Sequence, residues 1–181
     1  MKSFTILVIL TLLCTSSFAQ KKNGTVYNEH PDIEKTRLVW KAFVNGDVET
    51  YKSFFADSIG LIRNGKYRKL AKADFGNTVT WWKDNIENLS IKDDTPAYPD
   101  AIEYADGGIW VQDWLLVTGT HQESGINLEL RIHNLYAFNK EGKIGMLIQY
   151  FDDQVLEEIN NSGSVQENGK VFINHPYIGN L

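Results

Sequence analysis

The chain has 181 residues, a formal net charge of −5, 12% aromatic residues and a single cysteine. Mild acidity with no Lys/Arg cluster excludes partners that need a concentrated basic surface, such as nucleic acid or an anionic membrane. One cysteine excludes an internal disulfide framework, so packing of the core must hold the fold together.

Residues 1–19 read as a secretory signal peptide. Lys2 supplies a positive start, residues 4–13 an apolar run, and Ser17-Phe18-Ala19 a small-residue cleavage site before Gln20. The run is too short for a permanent membrane span, and bulky Leu13 before Cys14 does not suit a lipid-anchor signal. Cleavage near Ala19-Gln20 removes Lys2 and Cys14, which moves the formal charge from −5 to −6. The expected product is secreted or periplasmic, and about 160 residues suffice for one domain. Residues 20–31 read as a flexible polar leader, 32–160 as the domain, and 161–181 as a tail with one weak strand near 170–173.

Past the leader, His30-Pro31-Asp32 opens a helix with Asp32 as its cap. Ile33, Arg37, Trp40 and Val44 recur at helical spacing up to Asn45-Gly46. Val48, Tyr51, Phe54 and Phe55 predict a shorter second helix capped by Asp47. A strand over 59–63 turns at Asn64-Gly65. A third helix is expected over 71–88, with Phe75, Val79, Trp82, Ile86 and Leu89 on one stripe and Trp81 off it. Residues 93–100 form a Pro-containing loop, followed by a short strand near 101–104. Then come three long strand-like runs between Gly107 and Gln149, joined by Gly-containing turns. Asp152 or Asp153 caps a last helix over 155–159. Helices first and antiparallel strands second predict an α+β fold, with three N-terminal helices packed on one face of a curved, mostly antiparallel sheet.

Four short motifs in this order, Asn45-Gly46-Asp47, Phe55-Ala56-Asp57, Gly142-Lys143-Ile144 and Tyr150-Phe151-Asp152, resemble the NTF2-like (SnoaL-like) cone fold over residues 33–159. That superfamily includes ketosteroid isomerases, polyketide cyclases, limonene-type epoxide hydrolases and domains of unknown activity, so the resemblance implies a fold rather than a reaction. Carried over by motif, the isomerase tyrosine falls on Val39, the base on Arg63 and the neutral acid on Asn134; that set cannot perform the isomerisation. Of the epoxide hydrolase Asp–Arg–Asp set, one Asp matches Asp113, while the Arg falls on Val111 and the second Asp on Gln149.

Strand side chains alternate faces. The resemblance puts Asp113 on the concave face with Trp40, Arg63, Trp81, Asn134, Tyr136, Gln149 and Phe151, an aromatic cavity with a few polar groups suited to a small molecule. Trp40 and Tyr136 suit a plain core better than a ligand site. Buried Asp113 must be paired or functional, and Arg63 is its candidate partner. The convex face takes Trp110, Trp114, Met146, Ile148 and Tyr150, which is costly to leave in water and predicts a sheet-to-sheet homodimer. His30, His121 and His175 have no metal-ligand spacing, and there is no Ser-centred elbow or phosphate-cradling loop. The reading thus includes no cofactor and no metal.

Three functions fit this pattern. The first is a secreted domain binding a small, largely apolar molecule in the cone. The second is a SnoaL-type hydrolase, isomerase or cyclase with Asp113 as general base. The third is a structural dimerisation domain with a filled cavity.

Overall fold

A computed structural model describes residues 22–162, together with the backbone of 165–167 and 170–172. The expected signal peptide lies outside the described residues.

Helix α1 (Pro31–Val44) begins two residues earlier than a cap at Asp32 implies, because His30 caps it. Pro31 brings a preset φ and no N–H to the first turn, and the His30 imidazole accepts the Asp32 N–H at 3.2 Å. Asp32 instead holds Lys35 at 2.6 Å. Helix α2 (Val48–Ser53) has the expected cap, with the Asp47 carboxylate accepting the Thr50 N–H at 3.0 Å. Strands β2 (Phe55–Arg63) and β3 (Lys66–Ala71) form a hairpin whose turn residues have positive φ, 46° at Asn64 and 79° at Gly65. An Asn-Gly pair tolerates that geometry, which a two-residue hairpin turn requires.

Helix α3 (Lys72–Asn85) stops short of its expected end, because β4 (Ile86–Asp93) starts at once. Residues 24–27, expected within a flexible leader, form β1 (Gly24–Tyr27), paired with β5 (Asp100–Tyr104). The long strands are β6 (Ile109–His121), β7 (Asn127–Phe138) and β8 (Ile144–Tyr150), and α4 (Gln154–Ser162) follows. The backbone of β9 (Val165–Glu167) and β10 (Lys170–Phe172) pairs antiparallel.

Among the described residues, eight strands make one sheet in the order β1-β5-β6-β7-β8-β2-β3, with β4 also on β6. Every pairing is antiparallel except β2 with β8. Helices α1, α2 and α3 pack on one face, giving the expected α+β cone. The core on that face is double. One cluster holds Val39, Phe43, Tyr51, Phe55, Ile59, Phe75, Val111, Tyr136 and Leu147. The other holds Trp81, Ile86, Val117, Leu128, Leu130, Ile132, Leu156 and Ile159.

Candidate functional site

A polar row separates the two apolar clusters. Asp113 on β6 faces Asn134 on β7, Asn134 faces Gln149 on β8, and Gln149 faces Arg63 on β2. Alternation puts all four on the helix side. There they join in one chain: Arg63 Nη2 donates to Gln149 Oε1 at 2.9 Å, Gln149 Nε2 to Asn134 Oδ1 at 2.9 Å, and Asn134 Nδ2 to Asp113 Oδ1 at 2.7 Å. From the other side Trp40 Nε1 donates to the Tyr136 hydroxyl at 2.7 Å, and that hydroxyl donates to Asp113 Oδ2 at 3.1 Å.

The chemistry of the two ends forces the direction of every bond. A guanidinium and an indole N–H can only donate. Gln149 must therefore turn its oxygen to Arg63, which turns its NH2 to Asn134 and the Asn134 NH2 to Asp113. Likewise Tyr136 must accept from Trp40 and give its own proton to Asp113. Both halves converge on Asp113, whose two oxygens both accept. The row is built for a carboxylate.

Burial opposes that charge. Asp113 is 3% exposed, and Asn134 and Tyr136 are fully buried. Desolvation pushes the Asp113 carboxyl up to about 7, against the lowering effect of hydrogen bonds from Asn134, Tyr136 and Trp40. The expected direct pair between Arg63 and Asp113 does not form, because β7 and β8 lie between their strands and two amides bridge the gap. Burial likewise lowers Arg63 and raises Tyr51 from their ordinary values.

The cone cavity lies on the Arg63 side of this row and draws its walls from both clusters. Its volume is about 80 Å³, room for about three waters. Of the residues singled out in the sequence, Trp40, Arg63, Trp81, Gln149 and Phe151 line it. Asn134, Tyr136 and Asp113 do not; Asn134 and Tyr136 sit beneath the surface, and Asp113 instead borders a second, more open groove with Thr36, Trp40, Ile91 and Pro99. Cavity walls that sequence reasoning missed include Tyr51, Phe75, Thr78, Trp82 and Leu156. Phe75 and Trp82 carried the signal, as members of the helical stripe, but a stripe does not separate a cavity wall from plain core. Among the described residues, no group of three His, Cys, Asp or Glu side chains could hold a metal ion, and no helix is long and apolar enough to cross a membrane.

On the opposite sheet face Trp110, Trp114, Met146 and Ile148 are half-buried and Tyr150 is exposed. Trp114 stacks on His133 at 4.7 Å and 4°.

No protein-family model matches the chain, and no curated protein matches it either. Solved structures match its shape. PrhC from Penicillium brasilianum superposes with a TM-score of 0.57 at 10% identity, over 71% of this chain and 85% of its own. A SnoaL-like protein from Shewanella denitrificans gives 0.52 at 8% identity, over 71% and 96%. A hypothetical protein with a ketosteroid isomerase-like fold from Catenulispora acidiphila, in complex with trimethylamine, gives 0.50 at 13% identity, over 67% and 86%. At such identities the likeness carries the fold alone.

Proposed function

From a chain with the NTF2-like, SnoaL-like cone fold, we propose a secreted domain that binds a small, largely apolar molecule in its cone cavity. The observation that carries this reading is a cavity between two apolar clusters, walled by aromatic side chains and edged by Arg63 and Gln149. Concave, mostly apolar space with a few convergent polar groups is the usual form of a small-molecule site. The trimethylamine complex of a fold neighbour is in keeping with it. Three of the wall residues are Trp40, Trp81 and Trp82, so occupancy is readable as a change in intrinsic fluorescence. Titration with 2-naphthalenemethanol should give saturable quenching, abolished in Leu130→Trp, which fills the cavity. Unsaturable quenching that is equal in the two proteins would sink the reading.

A second reading has its own observation. Asp113, held near pH 7, is poised as a general base for a SnoaL-type hydrolase, isomerase or cyclase. Against it, both Asp113 oxygens already accept hydrogen bonds, and the residue borders the groove rather than the cone cavity. The binding reading needs no such rearrangement. A structural domain with a filled cone fits less well with the space beside Arg63.

The domain is further proposed to pair with a second copy through the sheet face that carries Trp110, Trp114, Met146, Ile148 and Tyr150. Helices α1, α2 and α3 cover the other face, and half-buried indoles side by side on this one are costly in water.

A further inference from the structure

We infer that the cone cavity takes a ligand bearing a single carboxylate, received by Arg63 and Tyr51, with an aromatic body among Trp81, Trp82 and Phe75. This rests on the proposed use of the cone as a ligand cavity and names the class of ligand.

The cavity wall carries one cation and no carboxylate. Arg63 keeps its charge at any working pH and offers five N–H donors. Two of them, on Nε and Nη2, go to one neutral oxygen of Gln149, at 3.3 and 2.9 Å. Nη1 donates to no described residue. Among the described residues no carboxylate lies within 4.0 Å of the guanidinium, and Asp153 acts on it only from further off. The ring of Phe151 also lies against it, with the centroid 5.5 Å away.

Tyr51 supplies an independent observation. It is 3% exposed and lines the same cavity, yet its hydroxyl donates to no described residue. Tyr51 and Arg63 are close enough to interact electrostatically. A half-buried cation and a hydroxyl that both open onto the cavity leave donors that a ligand acceptor can take in place of water. A carboxylate supplies that acceptor, because its two oxygens match the guanidinium fork and still accept from a phenol. A dianionic phosphate would leave one charge unmatched, since the cavity wall carries one cation. The rest of the wall is apolar, and the flat rings of Trp81, Trp82 and Phe75 suit an aromatic body.

The test compares 2-naphthoate with 2-naphthalenemethanol, the same rings with and without the charge, by calorimetric titration of the full chain. Wild-type protein should bind naphthoate about tenfold or more tightly than the alcohol. In Arg63→Met that preference should vanish through loss of naphthoate affinity, with the alcohol changed by about twofold at most. Arg63→Lys should recover part of it, and Tyr51→Phe should weaken naphthoate severalfold. Equal affinity of the two probes for wild type would overturn the carboxylate inference and leave the cavity reading standing. Binding of neither probe would overturn both. If Arg63→Met fails to fold, the wild-type ratio of the two affinities decides alone.

Discussion

Asp113 is where charge, burial and hydrogen bonding meet, and its titration has consequences. In the unfolded chain it releases its proton near 3.8, and in the fold only near 7. Between those values the folded protein holds a proton that the unfolded one has lost. Its contribution to stability is therefore full below about pH 4, declines as pH rises to about 7, and is constant above. A carboxyl ¹³C resonance for Asp113 with a midpoint near 7 is expected; a midpoint near 4 would refute the assignment. Urea denaturation at pH 5 and pH 8 should show the matching loss, absent in Asp113→Asn. The forced direction of the row makes a second prediction. In Gln149→Glu the new carboxylate still accepts from Arg63 but has no N–H to give Asn134, so Asn134 must flip its NH2 toward it and turn its oxygen to Asp113. Asp113 must then donate, and its midpoint should move above 7 in the same titration. Alternation together with the family resemblance picks out Asp113, Asn134 and Gln149 as sharing a face. It does not yield the row, because facing residues depend on the offset between strands, including the parallel pairing of β2 with β8. That offset is also why a direct contact between Arg63 and Asp113 was expected and two amides were found.

At the scale of elements, the segment after α3 shows how a sequence pattern misleads. Ile86 and Leu89 stand three apart, as on a helix, and the helix was expected to run through them. Instead a bulge in β4 between Glu87 and Ser90, with Asn88 at a φ of 54°, lets a strand present both inward. Extra residues in a strand break its period of two, so a bulged strand imitates a helix. The bulge has a visible partner. A Cβ on Gly119 of β6 would lie 2.5 Å from the Ile86 side chain and 3.2 Å from the Glu87 carbonyl oxygen. Gly119→Ala should destabilise the fold by about 1–3 kcal/mol, measured as a fall in the urea midpoint. An unchanged midpoint would mean that β4 shifts freely. Strands β1 and β3 escaped the sequence for another reason. Both are short edge strands, β3 is largely exposed with Lys-rich composition, and neither carries the apolar alternation that marks a half-buried strand.

For the whole molecule, the double face of the sheet was legible because β6 is apolar on both sides, which a sheet wet on one side would not be. One face received the helices, as expected. The other leads to the proposed dimer, where Ile148→Lys should give a monomer at micromolar concentration by sedimentation velocity while leaving far-ultraviolet circular dichroism unchanged. If wild type is already monomeric, the proposal falls. The polar row has one more consequence at this scale. Slipping β7 by one residue along β6 would turn its core face outward and is heavily penalised. Slipping it by two would keep every apolar residue on its proper face, so hydrophobic burial alone scarcely distinguishes that arrangement from the native one. Asp113, however, would then stand opposite Ile132 or Tyr136 instead of Asn134, and a buried carboxylate would lose its closest donor. The residues that contribute least to the hydrophobic core thus make its nearest competitor unaffordable.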